Sequence, residues 1–157
     1  MRALAVIPLS ALALTTALVW PHVATASPGP STLHLSETFT TYTEVDLGKK
    51  GPSQGDTFAF TTKVVDSDGE PAGTAGGSGT SLKPDDDTLG LVQYSETYDL
   101  DGGQLVIEGF YDFGAKPGTP TTDAVIGGTG KYRGAKGQVD FVTKGTDTFI
   151  STFKIRY

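Results

Sequence analysis

Asp123-Ala-Val-Ile-Gly-Gly-Thr-Gly-Lys-Tyr-Arg-Gly-Ala-Lys-Gly-Gln-Val139 is the stretch on which the reading of the fold turns. Its short apolar run, residues 124–126, breaks into Gly127, Gly128 and Gly130, then resumes in strand-like alternation through Gln138 and Val139. Glycine admits the positive φ that side chains resist, so the run can end in a tight corner and the chain can turn back through Tyr132. Two nucleotide readings fail on spacing. A Walker-type phosphate loop needs glycine where Val125 stands and Ser or Thr where Tyr132 stands. The dinucleotide fingerprint needs a third glycine at Arg133. The stretch is a structural corner between two strands.

Outward from that corner the whole chain reads as strands. No window sustains an apolar period of 3.6, whereas alternating segments recur at roughly ten-residue spacing, which predicts about eight strands. Residues 57–65 are the clearest, with Phe58, Phe60, Thr62 and Val64 on one face and Ala59, Thr61 and Lys63 on the other. Residues 73–82 are so rich in Gly, Ser and Thr that they form a strand only where backbone or a ligand comes close. Leu100-Asp-Gly-Gly103 joins two alternating segments as a hairpin. The last segment, residues 148–157, alternates to its end and needs a partner on each side, which favours a closed barrel over an open sheet. The expected fold is all-β, a closed eight-stranded antiparallel β-barrel spanning residues 33–157.

The N-terminal residues precede that domain. Met1-Arg2, an apolar run over residues 3–20 and Ala24-Thr25-Ala26 predict a secretory signal peptide over residues 1–26, with residues 27–32 as a flexible tether. Localisation is accordingly secreted, with no membrane association after cleavage. Without Arg2 the 12 basic residues become 11 against 18 acidic ones, a formal charge of −7. That balance argues against nucleic acid and anionic surfaces as partners. The 157 residues contain no cysteine, so neither disulfides nor thiol chemistry contribute.

Candidate chemistry is narrow. His34 is the single histidine after cleavage and no Gly-x-Ser-x-Gly elbow is present, so a Ser-His-Asp triad is disfavoured and His34 reads as solvated. With no Cys and one His, no transition-metal site is expected, and the Asp66/Asp68/Glu70 and Asp85–Asp87 clusters read as turns rather than calcium loops. Glu37, Glu96 and Glu108 lie inside strand patterns, and two of the three are expected to face water. Glu37 shares its parity with Leu33, Leu35 and Phe39 and is the best inward candidate. A carboxyl inside an apolar barrel suits proton transfer. For the Glu96 strand, residues 91–98 leave open which face is buried. Phe58, Phe60, Phe110, Tyr111, Phe113, Phe149 and Phe153 either line a pocket or pack as core.

Gly55-Asp-Thr-Phe-Ala-Phe60, Gly73, Gly103-Gln-Leu-Val-Ile-Glu-Gly109 and the corner element Gly127-Gly-Thr-Gly-Lys-Tyr-Arg-Gly-Ala135 together resemble the allene oxide cyclase barrel and the dirigent proteins. The resemblance implies an eight-stranded barrel with a hydrophobic cavity, and allows a homo-oligomer, dimer or trimer. It implies that Glu37 corresponds to the cyclases' strand-one glutamate and Phe60 and Tyr111 to their cavity aromatics, with Phe58 and Thr62 on the Phe60 face. The implied register places Gln93 inside and turns Glu96 and Glu108 outward. The cyclases' pocket cysteine falls near Gly79 and their water-positioning amide on Phe39. Activity on that basis is steering the cyclisation or coupling of a hydrophobic small molecule without a cofactor, with Glu37 as acid/base and Tyr111 as hydrogen-bond donor. Phe58, Phe60, Thr62 and Gln93 would form the ligand site. The alternatives are a non-catalytic extracellular carrier barrel and a barrel whose interior is filled.

Overall fold

The computed structural model describes residues 29–145 and 147–157. The expected signal peptide, residues 1–26, and its cleavage site lie outside them. Eight strands follow in order: β1 Ser31–Val45, β2 Thr57–Asp66, β3 Pro71–Lys83, β4 Leu91–Leu100, β5 Gly103–Asp112, β6 Thr121–Gly128, β7 Lys136–Lys144 and β8 Thr148–Arg156. Each pairs antiparallel with the next, and β8 pairs with β1, so the sheet closes on itself as the sequence leads one to expect. Closure leaves no free edge, which answers the partner requirement of the last strand. β1 begins two residues inside the expected tether: Ser31 and Thr32 pair with Ile155 and Lys154.

Side-chain size across the β2–β3 ladder explains the glycine-rich strand. Phe58 lies opposite Gly79 and Phe60 opposite Gly77. A Cβ on Gly79 would stand 2.6 Å from the Phe58 ring, and one on Gly77 would stand 2.9 Å from that of Phe60. Both are far inside van der Waals contact, so the glycines are the space into which the two rings fold.

The glycine corner joins β6 to β7 through a single 3-10 turn, Gly130–Tyr132. Its glycines act differently from one another. Of Gly127, Gly128 and Gly130, the last alone has positive φ, +56°, whereas Gly128 is held by close approach, with the Tyr132 and Gln104 carbonyl oxygens 2.5 and 2.6 Å from where a Cβ would sit. Nothing lies within 4 Å of a Cβ on Gly127. The turn docks on the β4–β5 hairpin, Lys131 N–H donating to the Gly102 carbonyl at 2.8 Å, and buries Tyr132 and Ala135. Leu35, Val64, Leu100, Leu105, Val139, Phe153 and Ile155 are buried in the same core.

The loop between β1 and β2 is tied down by Asp56, whose carboxylate accepts the Leu47 and Ser53 N–H groups, each at 2.7 Å. Asp66 and Asp85 cap their own turns in the same way, consistent with reading those clusters as turns. A bulge between Phe39 and Thr41 shifts the β1 register, so that Tyr42 comes to the aromatic side occupied by Phe39.

Candidate functional site

Six rings form a collar inside the barrel. Phe39 contacts Phe60 at 5.4 Å between centroids, Phe60 contacts Phe58 at 6.1 Å, Phe58 contacts Phe113 at 5.6 Å, and Phe113 contacts Tyr111 at 5.0 Å. Tyr111 then meets Phe149 at 5.9 Å and Phe149 returns to Phe39 at 5.4 Å, closing the circuit, with Phe141 packed on Tyr111 and Phe149. Edge and offset contacts at these separations are the favoured aromatic geometries.

These rings share a chamber with a polar layer. Glu37 is 5 % exposed; its Oε1 accepts the Tyr98 hydroxyl at 2.7 Å and the Ser151 hydroxyl at 3.0 Å, and its Oε2 accepts the Thr62 hydroxyl at 3.3 Å. Glu96, 4 % exposed, is placed beside it by β4. Its Oε2 lies 3.2 Å from the Tyr98 hydroxyl, whose single proton is already directed at Glu37, and its Oε1 has no hydrogen-bond partner. Burial, the Glu37 carboxylate next to it and a hydrogen bond between the two carboxyls push Glu96 well above its ordinary range, against a smaller lowering effect from Tyr98. Glu37 has three hydroxyl donors, whereas Glu96 has one shared donor and a bare oxygen, so Glu96 is the member of the pair whose charged form is disfavoured.

A third carboxyl stands one layer behind. Asp123 is buried and accepts the Tyr94 hydroxyl at 2.6 Å and the Phe110 N–H at 3.2 Å. Burial raises its pKa and those two donors pull it back down. Gly109 makes room for it, since a Cβ there would fall on the Asp123 carboxyl group. Both phenols, Tyr94 and Tyr98, are pushed up by burial and then by the neighbouring carboxyls, so they act as hydrogen-bond donors.

The free space in the chamber is about 40 Å³, room for a water molecule or two. Above it opens a vestibule of about 500 Å³, lined by Tyr42, Glu44, Val45, Asp46 and Pro52 among others. Phe39 and Phe113 border both spaces and form the partition between them.

Residues 36–155 match the allene oxide cyclase barrel like domain. The chain belongs to that family. Solved structures of the same architecture include a pyocyanin demethylase, 25% identical with a TM-score of 0.66 over 79% of this chain and 99% of that one. AbnU, an exo-specific intermolecular Diels-Alderase, is 19% identical with a TM-score of 0.65 over 83% of this chain and 100% of that one. A pterocarpan synthase dirigent protein is 18% identical with a TM-score of 0.61 over 92% and 98%. The latter two likenesses carry the barrel alone. No curated protein matches the sequence.

Within this allene oxide cyclase barrel-like chamber the structure places Glu37, Phe58, Phe60 and Tyr111 on the wall, and Thr62 against Glu37. Gln93 is a correction. It lies on the outer face of β4, exposed, and donates to Glu108 at 3.1 Å; Val92, Tyr94, Glu96 and Tyr98 face inward instead. Glu108 is outward as expected but Glu96 is not, so two of the three strand glutamates are buried rather than one. Tyr111 shares its hydroxyl with Thr143 at 3.1 Å, and the phenol that touches Glu37 is that of Tyr98. His34 is exposed, with Nδ1 3.2 Å from the Thr152 hydroxyl.

The residues that sequence reasoning missed are Glu96, Tyr98 and Asp123. A signal existed for the first two. Extending the β4 window to Asp99 and Leu100 sets Val92, Tyr94, Tyr98 and Leu100 on one parity and Gln93, Ser95, Thr97 and Asp99 on the other, which decides the buried face. Asp123 opens the corner stretch itself, on the parity of Val125, the buried residue of that run.

Proposed function

We propose that this barrel binds a small hydrophobic molecule in the aromatic chamber and steers its cyclisation or coupling by holding one reactive conformer against the Glu37–Glu96–Tyr98 layer, without a cofactor. The observation that supports this is the junction of a closed aromatic collar with a buried carboxyl pair at its floor. Holding a flexible substrate in a near-attack geometry lowers a unimolecular barrier with little further chemistry. The carboxyl pair adds proton transfer, and Tyr111 offers a phenol from the collar. Ligand sites generally need several hundred Å³. Entry from the vestibule therefore requires Phe39 and Phe113 to rotate and merge the two spaces. The proposal includes export of the chain and allows a homo-oligomer, dimer or trimer.

The test is a panel of lipid epoxides, polyenes and phenols offered to the wild type and to Glu37→Gln. Turnover by the wild type and its loss in a folded Glu37→Gln protein is the expected result; unchanged rates remove Glu37 from the mechanism. A second reading, a non-catalytic carrier, is favoured by one observation: three hydroxyls already occupy the Glu37 carboxylate, an arrangement suited to holding a group rather than moving protons. Ligands bound by the wild type but never converted decide for the carrier. Mass spectrometry of exported protein tests the leader, which requires a chain beginning near Ser27.

A further inference from the structure

Three carboxyl groups, Glu37, Glu96 and Asp123, are buried together, and no basic side chain is buried with them. Every Lys, Arg and His among the described residues is exposed, and their ion pair, Lys154 with Asp140, lies on the surface. Buried carboxylates are ordinarily paired with a cation or coordinated to a metal. This group has neither, and one of its oxygens, Glu96 Oε1, is wholly without a partner in a residue that lines the chamber. An unpaired acceptor at the wall of a cavity marks a place where a ligand's charge or donor is missing.

The surroundings indicate which kind of ligand. No three His, Asp or Glu side chains among the described residues converge closely enough to hold a metal ion. The rest of the wall is aromatic, and hard cations require a shell of oxygens that these rings do not supply. Aromatic rings beside a carboxylate are the setting that accepts ammonium and other organic cations. The approach is graded in the same sense: Glu44, Asp46, Asp56 and Asp87 line the vestibule, and the chain carries a net charge of −6. A field of that sign concentrates cations at the mouth.

We propose that the inner chamber takes an organic cation, a small molecule carrying a protonated or quaternary nitrogen on an aromatic or aliphatic skeleton, whose charge replaces the proton of Glu96. This rests on the reading of the chamber as a ligand site and adds the ligand's charge class to it. The exchange balances simply. The Glu96 O–H bond breaks, its proton leaves to solvent, and the carboxylate left behind faces the incoming cation; no other bond changes. The titratable groups facing Glu96 are Glu37 from β1, Tyr94 and Tyr98 from its own strand, Tyr111 from β5 and Asp123 from β6. None of them is basic. The incoming charge therefore meets no competitor, and the acid that gives up a proton is the one pressed hardest against a second carboxylate.

The probes are benzyltrimethylammonium and neopentylbenzene, which have the same shape and differ by one charge, with phenylacetate as the anion. Calorimetric titrations in buffers of different ionisation enthalpy count protons released on binding. The expected result is that benzyltrimethylammonium binds at least about tenfold more tightly than neopentylbenzene at neutral pH and that phenylacetate does not bind. About one proton is released per cation bound. Cation affinity rises by up to about tenfold per pH unit while Glu96 titrates, and the neutral isostere shows neither effect. Glu96→Gln should abolish the proton release and shrink the preference for the cation while leaving neopentylbenzene affinity within about twofold.

Equal affinity for cation and isostere overturns the proposal, as does cation binding without proton release, or a preference that survives Glu96→Gln. If neither probe binds but neutral epoxides or polyenes do, the cation proposal falls and the ligand site stands. If nothing in either set binds, both fall.

Discussion

Replacing Glu96 with Gln should make the barrel more stable at neutral pH, and the gain should vanish in acid. In the unfolded chain Glu96 ionises near its ordinary 4.5, while in the barrel burial and Glu37 raise it well above that value. A carboxyl whose folded pKa is raised contributes stability that is fully present below the unfolded pKa and is lost as pH rises toward the folded pKa. Each pH unit in that interval costs about 1.4 kcal/mol. Gln has nearly the same shape, its amide can donate to Glu37, and it carries no titration. The difference in Tm between Glu96→Gln and wild type should be near zero at pH 4 and widen above it, by roughly 5 °C per pH unit in a domain of this size, until Glu96 titrates in the barrel. Circular dichroism melts of both proteins across that range supply the measurement. Taking the difference largely removes contributions from Asp56, Asp85 and Asp140, whose lowered pKa values act in the opposite direction. A gap that stays constant with pH, or a variant less stable at pH 7, would refute the assignment of the proton to Glu96.

Other substitutions probe the frame around the chamber. Gly79→Val drives a side chain into the Phe58 ring at 2.6 Å and the Gln93 carbonyl at 2.5 Å, and should cost more than about 3 kcal/mol in urea unfolding. An unchanged midpoint means the ring does not occupy that space. Gly128→Val meets two backbone carbonyls and should abolish soluble protein, whereas Gly127→Ala, with open space around it, should express and melt as wild type; equal behaviour of the two contradicts the corner geometry. Tyr98→Phe removes the 2.7 Å donor of Glu37 and should cost about 1–3 kcal/mol, read from chemical denaturation. No loss there means the bond is not made.

The barrel was legible because its signals are local and repeated. Alternation over residues 57–65, the glycines of Leu100-Asp-Gly-Gly103 and a last strand demanding two partners each point to the same closed sheet. The glycine-rich β3 was legible as a strand under close approach, and the approaching groups prove to be the Ser95 and Gln93 carbonyls of β4 together with the Phe58 and Phe60 rings. The site was less legible because its interior is polar where patterning assumes apolar. Glu96 is an acid on the buried face of a strand; the pattern over residues 91–98 leaves that face open, the resemblance set Gln93 inside, and two more residues of pattern point the other way. The bulge between Phe39 and Thr41 is hidden for a different reason. Thr-rich sequence carries no alternation to show that one residue has dropped out of register.

The most direct measurement is a structure of the protein with a bound aromatic ammonium such as benzyltrimethylammonium. The ligand should lie inside the collar between Phe60, Tyr111 and Phe149, its nitrogen beside Glu96, with Phe39 or Phe113 rotated so that chamber and vestibule form one space. A ligand confined to the vestibule above an unmoved collar, or a chamber that stays at about 40 Å³ under saturating ligand, would contradict that placement.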